Sequence, residues 1–126
     1  MKMIPLFKVT NLKDAIAFYT CILDFGMKYP EATAEDGLID LVNGDIELQL
    51  TAFESDRLFG SVVNVWVDEV DGLFEKYLER GLDVSHKKES PVHQGPTDQT
   101  WGTREFYVTD KDGNTLRFCT GRVYGR

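Results

Sequence analysis

A chain of 126 residues, 42% hydrophobic and 28% charged, has room for one globular domain with a real core. Its 14 Lys and Arg against 21 Asp and Glu leave a formal charge of −7, which opposes attraction to phosphate backbones and to anionic lipid and so argues against a nucleic-acid partner. No apolar run reaches the ~18 residues of a membrane helix, no cationic-then-apolar leader opens the sequence, and the two cysteines, Cys21 and Cys119, suit small core residues of a chain in the reducing cytoplasm.

The start, MKMIPLFKV, reads as a strand. Asn11 then offers an N-cap, Asp14 stands at the third helical position, and Leu12, Ile16, Tyr19 and Leu23 recur at helical spacing. The segment LIDLV-NG-DIELQL follows as a hairpin with Gly44 in its turn, and TAFESDRLFGS reads as a linker. The same plan then recurs. Val62 to Val67 forms a strand, Asp68 is the expected cap, Asp71 stands at the third helical position, Val70, Phe74 and Tyr77 share a face, and Gly81 stops the helix. Val9 and Val67, Leu12 and Val70, Ile16 and Phe74, and Tyr19 and Tyr77 are each separated by 58 residues. After a loop, SPVHQGPTDQT, comes a closing hairpin, REFYVTD-KDGN-TLRF, with Gly113 in its turn.

Residues 1–126 are therefore expected to form a single α+β domain made of two βαβββ modules, 1–52 and 61–126. One helix per module covers one sheet face. Period-two parity sends Ile46, Leu48, Leu50, Val63, Val65, Val67, Phe106, Val108, Leu116 and Phe118 to that face. Glu47, Gln49, Thr51, Val62, Asn64, Trp66, Thr103, Glu105, Tyr107, Arg117 and Cys119 point the other way, the composition of a ligand cleft or of a solvated sheet face.

The phrases VTNLKDAIAFYTCILDFG and WGTREFYVTDKDGNTLRF resemble the vicinal oxygen chelate superfamily, and within it the bleomycin-resistance proteins of the glyoxalase and dioxygenase group. The resemblance covers essentially the whole chain. It implies two modules related by a pseudo-twofold, a curved mixed-sheet cleft, and a homodimer. Metalloenzymes of that superfamily take a ligand from the first and last strand of each module. Those positions map here to Ile4, Val62, Glu47 and Arg117, of which only Glu47 could bind a metal. No metal and no other cofactor is expected, and His86 and His93 lie outside the mapped positions. A pair between Glu47 and Arg117 in place of the metal is expected instead.

What remains is a binding surface of Tyr29, Glu47, Gln49, Asn64, Trp66, Trp101, Gly102, Glu105 and Arg117, with flat rings suited to stacking on a planar ligand. Trp66 could equally fill the cleft, and Trp101 could serve a hinge or a dimer contact. The resemblance implies non-catalytic sequestration of a bleomycin-type drug. The alternatives are a binder of another aromatic or cationic small molecule, and a metal-independent glyoxalase-like lyase or isomerase using Glu47 or Glu105 as a base.

Overall fold

The computed structural model describes residues 1–85 and 95–121. They form two compact units, one of Met1–Ser61 with Asp110–Asn114, the other of Val62–Thr109 with the segment from Thr115 onward. Each unit is a βαβββ arrangement closing a four-stranded mixed sheet, an α+β fold in two repeats.

In the first unit β1 (Leu6–Lys8) leads to α1 (Leu12–Ala17), then come β2 (Gly26–Met27), β3 (Leu38–Asn43) and β4 (Ile46–Thr51) in the order β1-β4-β3-β2. β1 runs parallel to β4, and the other neighbours are antiparallel. Asn11 caps α1 as its position requires, its side-chain oxygen accepting from the Asp14 N–H at 2.9 Å. Beyond Ala17 the helix widens into a π-turn over Phe18–Ile22, which the regular spacing of apolar residues did not announce. Leu12, Tyr19 and Leu23 are buried, whereas Ile16 is half-buried and Ala15 takes a place in the core. Phe7, Ile39, Leu41, Leu48 and Leu50 complete that core from the sheet.

Two residues of β4 depart from simple alternation. Ile46, expected inside, is exposed because it is the first residue after the tight turn at Gly44, whose φ is +57°. Thr51, expected outside, is buried because the following chain folds over it: its Oγ1 donates to Asp56 at 2.7 Å and accepts from the Phe53 N–H at 3.2 Å. The Phe53 ring lies against Gly37, where φ is +79° and an added Cβ would come within 2.5 Å of the ring. Cys21 is exposed rather than a core residue, while Cys119 is buried.

The turn Asp110–Asn114 packs within the first unit. Asp110 Oδ1 accepts from the backbone N–H groups of Asp112 (2.8 Å) and Asn114 (3.0 Å), and Oδ2 accepts from Tyr19 Oη (2.8 Å) and Asn114 Nδ2 (3.0 Å). Asn114 Nδ2 also donates to the Lys8 carbonyl at 2.8 Å, and its Oδ1 accepts from the Ser61 N–H at 3.1 Å. The sequence D-K-D-G-N thus does structural work. Burial pushes the Asp110 carboxyl up, against the pull of these donors.

In the second unit β5 (Val62–Trp66) leads to α2 (Asp71–Glu79), then β6 (Thr97–Asp98), β7 (Thr103–Thr109) and β8 (Thr115–Gly121), ordered β5-β8-β7-β6 with β5 parallel to β8. The covered face carries Phe106 and Phe118, stacked 5.0 Å apart at 16°, with Tyr77 of α2 set edge-on to both. Val63, Val65 and Val67 are half-buried while Val62, Asn64 and Trp66 are exposed, the expected alternation. The expected cap is corrected. α2 begins at Asp71, so Asp68 stands too early, and the longer Glu69 carboxylate accepts from the Gly72 N–H. Asp71 sits at the first helical position and pairs with Arg104 through two bonds, at 2.9 and 3.1 Å. Among the described residues, no helix is long and apolar enough to cross a membrane.

Replacing Tyr19 with Phe removes one donor to buried Asp110 and is expected to lower stability by about 1–2 kcal/mol in urea titration. An unchanged midpoint would show that Tyr19 acts by packing alone.

Candidate functional site

The uncovered face of the second sheet is built around one carboxylate. β7 sends Thr103, Glu105 and Tyr107 to this face, β8 sends Arg117 and Cys119, and β5 sends Asn64 and Trp66. The ladder sets Glu105 opposite Cys119, Arg117 between Tyr107 and Asn64, and Trp66 opposite Cys119. Glu105 is only 3% exposed. Its Oε1 accepts from Tyr107 Oη (3.0 Å) and Arg117 Nη2 (3.1 Å), and its Oε2 accepts from Thr103 Oγ1 (2.6 Å) and Trp101 Nε1 (3.1 Å). Burial pushes this carboxyl up, but Thr103, Trp101, Arg117 and Tyr107 together hold it down to about 2.

The Arg117 guanidinium lies 4.9 Å above the Tyr107 ring, and its buried Nε has no acceptor among the described residues. Burial and the neighbouring Glu105 charge push the Cys119 thiol up to about 11, which leaves it a poor nucleophile at neutral pH.

Trp101 reaches Glu105 because the chain turns just before β7. The Gln99 N–H donates to the Thr103 carbonyl at 2.7 Å, and Gly102 takes a φ of +96°, a conformation that favours glycine. The indole is therefore tied at its nitrogen while Trp101 as a residue remains 61% exposed, and Trp66 is 66% exposed.

The first sheet has its own polar face. Glu47 accepts from the ammonium groups of Lys2 and, at 2.7 Å, Lys28, and these two donors lower its pKa. The Lys28 ammonium also stands 5.5 Å from the Tyr29 ring, and Gln49 Nε2 donates to Asp40 at 2.7 Å. Glu47 and Arg117, expected to pair, each have a partner within their own unit. Lysines 45 and 19 residues away reach Glu47, and Arg117 finds Glu105 on the adjoining strand. The ladder also shifts the equivalence between modules: Leu6 stands opposite Gln49, and Asn64 opposite Arg117, so Gln49 is the register counterpart of Arg117.

A family model for the glyoxalase/bleomycin resistance protein/dioxygenase superfamily matches residues 6–118. The chain belongs to that superfamily. Solved structures of the same fold include a bleomycin-binding protein in complex with bleomycin (TM-score 0.74, 22% identity, 97% of this chain and 99% of that one). A bleomycin resistance determinant encoded on transposon Tn5 superposes equally well (TM-score 0.74, 19% identity, 98% and 99% covered). The bleomycin-binding protein of the bleomycin producer Streptomyces verticillus, complexed with copper(II)-bleomycin, gives a TM-score of 0.69 at 18% identity, with 97% of each chain covered. At these identities the likeness establishes the fold. No curated protein sequence matches the chain.

Among the described residues, Glu47 and Glu105 are poorly suited to a divalent ion. Glu105 is occupied by four donors, one of them a guanidinium, and Glu47 by two ammonium groups. Among the described residues, no group of three or more His, Cys, Asp and Glu is placed to hold a metal. His86 and His93 lie outside the described residues. A carboxylate held near 2 is also a weak proton acceptor at neutral pH, which disfavours Glu105 as a general base.

Of the residues singled out in the sequence, Trp101, Gly102, Glu105, Arg117, Asn64 and Trp66 share one face or its rim, Glu47 and Gln49 belong to the first sheet, and Tyr29 lies just after its strand β2. Thr103 and Tyr107 complete the Glu105 shell and were not singled out as site residues. Their signal was the i, i+2 spacing about Glu105.

The depressed Glu105 pKa sets a pH dependence. Unfolded, the carboxyl has an ordinary value near 4.5, so its contribution is present above that pH and is lost as pH falls toward about 2. Glu105→Gln is expected to cost about 2–3 kcal/mol at pH 7, with the gap to wild type closing between pH 5 and 2 in denaturant titrations. A gap independent of pH would contradict an ionised Glu105.

Proposed function

We propose that the chain binds and sequesters bleomycin-type glycopeptide antibiotics without turning them over, on the uncovered face that carries Trp66 and Trp101. The observation that carries this reading is Trp101: its indole nitrogen is anchored on Glu105 while its ring stays open to a ligand. A tethered ring loses little freedom on stacking, and aromatic stacking adds about 0.5–1.5 kcal/mol beyond burial. Shared fold with bleomycin-binding proteins supports the choice of ligand. Sequestration needs affinity rather than chemistry, each tenfold in Kd being worth about 1.4 kcal/mol.

The acidic composition, a formal −7, favours the cationic tail of such a drug. The acting form in this reading is a homodimer in the cytoplasm, with 1–126 as one domain of two modules, 1–52 and 61–126. Twofold pairing is the commonest way for small half-covered modules to bury an exposed sheet face.

Calorimetry and tryptophan fluorescence with metal-free and copper-loaded bleomycin are expected to show saturable, submicromolar binding near one drug per chain, weakened about tenfold by Trp101→Ala. Absence of binding at high drug concentration would reject this reading.

A further inference from the structure

The proposed drug surface carries a charge pattern that drug binding does not use. On the uncovered face of β5 to β8 the charged residues among those described are Glu105 and Arg117. Glu105 is buried, and its four hydrogen bonds occupy the acceptor positions of a carboxylate. It has nothing left to offer a ligand cation. Arg117 is the opposite case. Its side chain is 29% exposed, and among the described residues its one hydrogen bond is from Nη2 to Glu105. A guanidinium has five N–H donors, more than the contacts with Glu105 and Tyr107 engage among the described residues; the buried Nε is closed to a ligand, so the exposed part of the fork is its Nη edge. Within a chain of formal charge −7, this face therefore presents unspent positive donors.

The neighbours of Arg117 define what could meet it. Asn64 stands directly opposite on β5 and is exposed, so its amide can supply a further hydrogen bond. Trp66 lies two residues along β5 on the same face, roughly 6–7 Å further along the strand, and is 66% exposed. A planar ring on Trp66 and an acidic group on the Arg117 fork are thus within the span of one small molecule. Guanidinium and carboxylate match in geometry, and the pairing is strong where water is partly excluded.

We infer that this face selects aromatic carboxylates, with the ring stacked on Trp66 and the acid held by Arg117 and Asn64. The inference rests on the reading that the face binds planar ligands, and it names a ligand class of the opposite charge to a cationic drug tail.

The test uses 2-naphthoate and its neutral isostere 2-naphthamide in calorimetric titrations of the unaltered protein, with bleomycin titrated into the same preparation. Naphthoate is expected to bind at least tenfold more tightly than naphthamide, and less tightly as salt rises. Arg117→Met should reduce naphthoate to the level of the amide, Asn64→Ala should weaken the acid selectively, and Trp66→Ala should weaken both compounds alike. Should Arg117→Met unfold by stranding Glu105, the double variant Glu105→Gln/Arg117→Met removes both charges and reads the same loss.

Equal affinity for acid and amide, or no naphthoate binding, overturns the inference. Bleomycin binding in that same preparation would leave the sequestration reading standing. Naphthoate selectivity without bleomycin binding would do the reverse.

Discussion

A carboxylate buried in a sheet face is costly to desolvate, and the second unit is organised around meeting that cost at Glu105. Two donors come from its own strand, Thr103 and Tyr107, one from the turn before it, Trp101, and one from the neighbouring strand, Arg117. Each donor is fixed in turn by the group it serves. The indole is oriented, the phenol lies under the guanidinium, and the guanidinium is drawn toward Glu105, its buried Nε finding no acceptor among the described residues. The functional character of the face, aromatic and donor-rich, follows from one buried anion.

Both repeats answer the same problem in different ways. A single helix can cover one side of a four-stranded sheet, so each uncovered face must solvate its own polar residues. In the first unit Glu47 draws flexible ammonium groups from Lys2 and Lys28, the latter also set beside the Tyr29 ring. In the second, strand-borne Arg117 is the cation, held by its ladder position opposite Asn64 and Tyr107. Both carboxylates, Glu47 and Glu105, are thereby paired with cations of their own unit.

Much of this architecture is written locally. Asn11 reads as a cap because a short side-chain oxygen before an apolar run meets free helical amides, and Gly44, Gly81 and Gly113 mark turns because each adopts a positive φ. Strict alternation in VVNVW and EFYV gave the two sheet faces, and the 58-residue repeat gave the second module from the first. Other features depend on distant partners and left no local trace. The start of α2 moved because Glu69, not Asp68, reaches the Gly72 amide, and Thr51 is buried by chain that folds back over it. The partner of Glu47 could not be read because Lys2 lies 45 residues away, and the ladder register between Asn64 and Arg117 is set by sheet assembly. Parity placed Glu105 on the correct face, but its burial emerges only when four donors converge.

The chain has two tryptophans, and both stand on the face assigned to the ligand, one tied through its indole nitrogen and one not. Their two indole N–H resonances in a 15N-labelled sample, followed during addition of copper-free bleomycin, report directly on that face. The account expects both signals to shift in a saturable way, with Trp101 keeping the downfield position of an indole bonded to a carboxylate. Binding that leaves both indole signals unmoved would place the ligand elsewhere and contradict it.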